Sequence, residues 1–247
     1  MTQTYAILSD IHGNSWALEA VLENIYKKGI ETIINLGDIL YGPLDPEGTA
    51  RILKDYKAIA VRGNQDRLIY ENRDDVAENK TLQYVKEQLS EEQVQWLTEL
   101  PITENISDEI FCCHGTPAND EAYFIENVSQ GTPRLKSNSE LQNLTKNIHQ
   151  PLILCGHSHL PSSVYLANGI TVVNPGSVGL PAYSDDFPIA HKMETGSPFA
   201  SYAILSKHKT RWHILFVKIP YDWESAAQAA SKNRREDWAY WIRNGRV

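Results

Sequence analysis

Seven residues close behind the N-terminus of this 247-residue chain, Ser9-Asp10-Ile11-His12-Gly13-Asn14-Ser15, are the first that could do chemistry. An apolar, β-rich run, Tyr5-Ala6-Ile7-Leu8, leads into them. Side chains two apart on a strand point the same way, so Asp10 and His12 leave the strand end together, a hard oxygen beside an imidazole. Gly13 lets the backbone turn, and Asn14 or Ser15 can cap a following helix. A lone Asp-x-His at a strand end is more often structural than metal-binding. The pattern recurs, however. Asp38 follows the apolar run ending at Leu36, Asn64 the run ending at Val61, and His114 the run Ile110–Cys113. His157 and His159 follow Pro151–Cys155. Taken singly, each has a bland reading: a turn Asp, a left-handed turn Asn, a hydrogen-bonded core His. Five such strand ends in one chain do not share a bland reading. Mixed Asp, Asn and His ligation suits borderline divalent ions such as Mn²⁺, Fe²⁺ or Zn²⁺, and the lack of Cys ligands argues against a structural zinc site.

The elements that must position these groups alternate. Leu18, Val21, Leu22 and Ile25 recur at helical spacing, and Gly29 ends that helix. Thr32–Leu36 reads as a buried strand, Asp45-Pro46 opens a second helix reaching about Asp55, and Ala58–Val61 reads as a third strand. This β-α-β-α-β order predicts parallel strands with right-handed crossovers, and open α/β sheets place ligands at the carboxyl ends of such strands. A helical stretch is expected from Thr81 to Glu99, with a capping box at Ser90-x-x-Gln93, and another helix capped at Ser139-x-x-Gln142. Asn168-Gly169 marks a hairpin, and Tyr202–Leu205 with Trp212–Val217 a second. Asp222 caps an Ala-rich helix in a basic, Trp-containing tail over residues 222–247. The expected architecture is one α/β domain over 1–247, a four-layer α/β/β/α sandwich of two mixed sheets. Segments 118–134 and 175–198 are too long for simple connectors and are expected as lid loops flanking the site.

Composition bounds the function. A hydrophobic content of 42% is that of a soluble globular chain, and no apolar run is long enough to cross a membrane. The first residues show no secretory signal. Adjacent Cys112 and Cys113, with Cys155, look like core residues, so a cytoplasmic location is expected. A net charge of −8 argues against non-specific nucleic-acid binding, though not against a small anionic substrate.

Asp10-x-His12, Gly37-Asp38, Gly63-Asn64-x-Asp66, His114 and Gly156-His157-x-His159 closely resemble the signature of the calcineurin-like metallophosphoesterases. Order and spacing match over about the first 180 residues. The loop Asn174-Pro-Gly-Ser-Val-Gly179-Leu-Pro181 resembles that of the family's small bacterial and archaeal, phosphodiesterase-type branch. The resemblance implies the sandwich fold and two divalent ions. Asp10, His12, Asp38 and His159 would bind the first; Asp38, Asn64, His114 and His157 the second, with Asp38 bridging. Mn²⁺ is the first choice, with Fe, Zn, Ni or Mg as alternatives. Two such ions, about 3.5–4 Å apart, would share a hydroxide and clamp a phosphoryl group for in-line attack. Asp38, Asn64, Gln65 and Asp66 are then the catalytic candidates. Asp66 would orient a ligand or water, or is a plain turn residue. Asn14, Asn64, Gln65 and His191 are the substrate-contact candidates, although a surface position is the simpler reading of His191.

One position departs from the family: Gln65 stands where a His usually donates a proton to the leaving oxygen. Glutamine donates a hydrogen bond but does not titrate. The expected activity is hydrolysis of a phosphodiester or an activated phosphomonoester, on a small phosphorylated substrate such as a nucleotide. The rivals are a protein phosphatase and a catalytically weak metal-binding scaffold. Tyr123, Phe124 and Tyr183 could stack on a nucleotide, but packing is the commoner role. Arg234, Arg235, Trp238, Trp241 and Arg243 could form a phosphate or partner surface, but a solvated basic helix face is the commoner one. A homo-oligomer is left open.

Overall fold

The computed structural model describes residues 3–71, 79–209 and 211–247. The first part of the chain runs β1 (Thr4–Leu8), α1 (Ser15–Lys27), β2 (Thr32–Asn35), α2 (Pro46–Lys54), β3 (Ala58–Ala60) and α3 (Asn64–Tyr70). Then come α4 (Lys80–Gln88), α5 (Glu91–Glu99), β4 (Thr103–Ile106), β5 (Ile110–Cys113), β6 (Glu126–Asn127), β7 (Arg134–Leu135) and α6 (Asn138–Leu144). The last part runs β8 (Leu152–Leu154), β9 (Ser162–Tyr165), β10 (Thr171–Asn174), β11 (Ala182–Asp185), β12 (His191–Glu194), β13 (Ala200–His208), β14 (Arg211–Ile219), α7 (Trp223–Lys232) and α8 (Glu236–Asn244).

Two five-stranded mixed sheets result, ordered β14-β13-β1-β2-β3 and β4-β5-β8-β10-β9. Strand alternation explains the layers. Tyr5 and Ile7 face the space between the sheets, where they meet Ile34, Cys112, Leu152, Leu154 and Val173. Ala6 and Leu8, on the other face of β1, pack under α1, α2, α7 and α8. Cys113, Ile153 and Val172 cover the outer face of the second sheet together with Leu141 of α6. The three cysteines are free and buried. Among the described residues no helix is long and apolar enough to cross a membrane.

The parallel registers bring the polar strand ends together. β1 and β2 align Leu8 with Asn35, so Asp10 N–H donates to Gly37 O (2.9 Å) and His12 N–H to Asp38 O (2.9 Å). In the second sheet β5, β8 and β10 run parallel, and Gly156 N–H donates to His114 O (2.7 Å). A Cβ on Gly156 would overlap Ser9 Oγ, so glycine there lets the ends of the two sheets meet.

Four expectations change. Residues 118–134 and 175–198 are not wholly irregular: β6 pairs with β7, and β11 with β12. The helix near 140 is capped by Ser137, not Ser139, because the Glu140 carboxylate reaches back to the Ser137 N–H (2.8 Å). A short helix, α3, begins directly on Asn64. The tail folds as two packed helices, since Trp238, Ala239, Trp241 and Ile242 give α8 a buried face of its own.

Candidate metal centre

Five of the candidate ligand residues have left-handed backbone: Asp10 (φ 55°), His12 (53°), Asp38 (53°), His157 (68°) and His159 (61°). Non-glycine residues seldom take this conformation, and it costs on the order of 1–3 kcal/mol each. Each turn aims a side chain off its strand end into the same buried space. Asp10, His12 and His159 can place one ligand atom each within 4.8 Å of one another, and Asp38, His114 and His157 do the same beside them.

The hydrogen bonds behind the imidazoles define which nitrogens face inward. His12 Nδ1 lies 3.0 Å from Tyr41 O, His114 Nδ1 2.7 Å from Leu36 O, and His159 Nδ1 2.6 Å from Leu180 O. Carbonyls only accept, so each Nδ1 carries a proton; a neutral His12 or His159 ring presents a bare Nε2 to the centre, whereas His114 turns its Nε2 toward Asn64 Oδ1 and Asp38 Oδ2, which accept from it. His157 is reversed. Its Nε2 donates to Glu121 O (3.0 Å), which leaves Nδ1 bare. His12 Nε2 and His159 Nε2 stand 3.1 Å apart, two lone pairs with no hydrogen for a bond between them unless a ring is charged. Asp10 Oδ1 is fully buried without a hydrogen-bond partner, 3.3 Å from His159 Nε2. A burden of lone pairs and carboxylates like this fits cations.

Electrostatics agree. Burial, then the neighbouring His159, pushes His12 down to about 4, and burial with His114 does the same to His157. Burial opposes a charge on His114 as well, but Asp38 and Asp10 overcome it and raise His114 to about 10. Burial would raise both carboxylates, yet His114 holds Asp38 far below the usual range and His159 lowers Asp10. The cluster therefore demands positive charge beside its carboxylates. Asp38 Oδ2 is 4.0 Å from His12 Nε2 and 3.4 Å from His114 Nε2, so it stands between the two groups.

Asn64 Oδ1 lies 3.1 Å from His114 Nε2, next to the second group. Gln65 N–H donates to Asp38 Oδ1 (2.8 Å), and its side-chain Oε1 is buried without a partner. Asp66 ties the loops together. Its Oδ1 accepts from Ile39 N (2.8 Å) and Leu40 N (3.3 Å), its Oδ2 from Gly63 N (3.0 Å). Burial and the Asp38 charge nevertheless push Asp66 up to about 7. Gly63 is required here, because a Cβ would overlap the Asp38 carboxylate.

Two candidate substrate contacts lie elsewhere. Asn14 is fully buried and its amide is spent: Oδ1 caps Ala17 N (3.1 Å), and Nδ2 donates to Gly179 O (2.9 Å) and Tyr221 Oη (3.1 Å). It holds the loop at Gly179 against α1, and has no donor left for a phosphate. His191 is buried, not on the surface. Its Nδ1 donates to Ile189 O (2.7 Å), so its Nε2 accepts from Tyr123 Oη (2.8 Å). The Tyr123 ring in turn stacks on His157 (4.7 Å, 23°), and Tyr183 meets His159 edge-on (4.5 Å, 60°). Both long segments thus bring a tyrosine against a histidine of the cluster.

A cleft of about 250 Å³ opens over His12, Asp38, Asn64, Gln65, His157 and His159. It is also lined by Tyr183–Asp185 and by Arg235, Trp238 and Trp241. The tail is therefore not a solvated basic face throughout. The missed signal was its apolar spacing, Trp238 and Trp241 at i and i+3 with Ile242 beside them. A larger cavity, about 770 Å³ along β3 between α2 and α5, holds none of the ligand residues, so size does not identify the site.

An α/β sandwich with Asp, Asn and His converging at the carboxyl ends of parallel strands defines a class of metal-dependent hydrolases. Residues 4–196 match the family model of the calcineurin-like phosphoesterase superfamily domain, and the chain belongs to that superfamily. It is 27% identical over 260 residues to an uncharacterized protein of Methanocaldococcus jannaschii, covering 94% of each chain. The crystal structure of a metallophosphoesterase from Sphaerobacter thermophilus superposes with a TM-score of 0.73 at 23% identity, covering 97% of this chain and 100% of that one. A putative diadenosine tetraphosphatase superposes with a TM-score of 0.52 at 18% identity, covering 88% of this chain and 94% of that one. At those identities the two structures speak to the fold. Family and fold support a hydrolase of phosphoesters whose ligand groups suit metal.

Proposed function

We propose that the protein hydrolyses a small phosphodiester or activated phosphomonoester with two divalent ions bound, Mn²⁺ first among them, in the cytoplasm. The observation that carries this reading is the pair of adjacent three-residue groups whose imidazole nitrogens face inward around Asp10 and Asp38. Asp10, His12 and His159 would hold one ion; His114, His157 and Asn64 the other; Asp38 would touch both. Bound there, the ions supply Lewis acidity and lower the pKa of a water.

The chain's own residues do the rest. Asn64 and Gln65, at the start of α3, present amides to the cleft and can hydrogen-bond a phosphoryl or leaving oxygen. Asp66 holds the two loops that carry Asp38 and Asn64 in register. Tyr183 and Trp238 also line the cleft. A cleft of about 250 Å³ suits a small ester better than a phosphorylated protein loop, which favours a small-molecule substrate over the protein-phosphatase alternative.

Metal-stripped protein reloaded with Mn²⁺ should hydrolyse bis-p-nitrophenyl phosphate. Asp38→Asn should lower kcat/KM by on the order of a thousandfold, because charge stabilisation by the ions is worth several kcal/mol. Absence of hydrolysis of any mono- or diester with Mn²⁺, Fe²⁺, Zn²⁺, Ni²⁺ or Mg²⁺ would leave only the scaffold alternative.

A further inference from the structure

Arg235 lies in the cleft wall, at the residue that precedes α8. Its guanidinium is held in place before any ligand arrives. Nε donates to Asp237 Oδ1 (2.9 Å), Nη2 to Asp237 Oδ2 (2.7 Å) and Nη1 to Thr81 Oγ1 of α4. The group also sits over the Trp238 indole, 5.4 Å from the ring centroid. A guanidinium has five N–H donors, and these bonds use three. Two remain without a partner among the described residues. Holding the fork rigid in advance lowers the entropy cost of binding an anion.

Its depth separates it from the reacting centre. The Arg235 side chain is 28% exposed, whereas Asp38 is 2% and His12 1% exposed. Trp238 links them. Its ring centroid is 5.7 Å from that of His12 and 5.4 Å from the Arg235 guanidinium carbon. Arg235 is thus nearer the solvent than the ligands that would hold the scissile phosphoryl group, and it shares the Trp238 ring with one of them. Asp185 also lines the cleft, and Arg235 is the cationic side chain among the lining residues.

We propose that Arg235 binds a second phosphate of the substrate, so that the substrate is a small phosphoester with one phosphate to be cleaved and another to be recognised. This rests on the phosphoesterase reading and narrows it. The step is binding only. The two free N–H groups donate to phosphate oxygens, and the Asp237 carboxylate and the Trp238 face keep the fork aligned.

The test uses the full chain loaded with Mn²⁺ and two ligands that differ by one phosphate, adenosine 5′-monophosphate and adenosine 3′,5′-bisphosphate. Affinities are measured by calorimetry at low temperature, with the ligand checked afterwards for integrity. The wild type should bind the bisphosphate about tenfold more tightly, the scale of a charge-assisted hydrogen-bonded contact. Arg235→Gln should bring the two Kd values together, and Arg235→Lys should restore only part of the difference, because an ammonium lacks the fork. Equal wild-type affinities, an unchanged ratio in Arg235→Gln, or no binding of either ligand would overturn the proposal. Hydrolysis of bis-p-nitrophenyl phosphate, assayed in parallel, reports separately on the phosphoesterase reading. Turnover without a bisphosphate preference overturns the second-phosphate site alone. A preference that depends on Arg235, without turnover, overturns the phosphoesterase reading and leaves this site standing.

Discussion

Under the proposed activity, Gln65 would limit which leaving groups the site can serve. Its backbone N–H anchors Asp38, and its side chain lines the cleft with Oε1 unpartnered. An amide can support a departing oxygen by hydrogen bonding but has no proton to give up at neutral pH. General acid catalysis is worth about 10²–10⁴-fold, and an alkoxide needs it more than a phenolate does. Gln65→His should therefore raise kcat on an alkyl phosphoester far more than on an aryl one under the same metal loading. Equal gains on both, or none, would show that position 65 does not face the leaving oxygen. His191 is not free to substitute for it, since both its ring nitrogens are engaged, with Tyr123 and Ile189.

At the scale of elements, α3 both carries Asn64 and Gln65 in its first turn and holds the Asp120–Glu121 loop. Arg67 of α3 donates to Asp120 (3.0 and 3.1 Å), to Glu121 (2.9 Å) and to Glu71 (3.1 Å). The Glu121 carbonyl is the group that turns His157 so that Nδ1 faces the cluster. Arg67→Ala should free that loop and let the ring rotate. Partners that orient metal ligands are typically worth 10–100-fold in metal affinity. The lower figure, about tenfold, is expected here, because Arg67 acts on a carbonyl through the chain and not on the ring. Titration of the metal-free protein with Mn²⁺ should show one of two binding steps weakened. Two unchanged steps would mean that the loop is held without Arg67.

For the whole molecule, Glu126 is expected to make stability depend on pH. It lies buried at the start of β6, close to Lys136, whose ammonium donates to the carbonyls of Tyr123 (2.5 Å), Phe124 (3.2 Å) and Glu126 (2.6 Å). Burial raises its carboxyl to about 7, despite a bond with the Ser158 hydroxyl that favours the charge. An acid whose pKa rises on folding binds its proton more tightly in the native state. Its stabilising effect is complete below about 4.5, the unfolded value, and is lost as the pH climbs through about 7. The loss is roughly 3 kcal/mol, at about 1.4 kcal/mol for each tenfold in proton affinity. Glu126→Gln removes the titration. The wild type should therefore lose urea-midpoint stability relative to Glu126→Gln between pH 4.5 and 7.5, and a pH-independent difference would refute the assignment.

Much of this protein is legible in its residue order, because the relevant physics is local. Strand alternation at Tyr5–Leu8, capping at Asp45 and Asp222, the Asn168-Gly169 turn, and polar residues at five strand ends all act within a few positions along the chain. That local order determined the sandwich and the seven residues that face one another in the cluster. Three things required tertiary contacts between distant segments. Asn14 reads as a phosphate contact until Gly179 and Tyr221, more than 160 residues away, take its amide. Tyr123 and Tyr183 read as loop packing until their rings meet His157 and His159. The tail reads as a basic surface until α8 folds back and puts Arg235 and Trp238 in the cleft. In each case the side chain's role depends on which partner satisfies its polar atoms or covers its ring. That partner is chosen by the packing of the whole chain and not by neighbours in sequence.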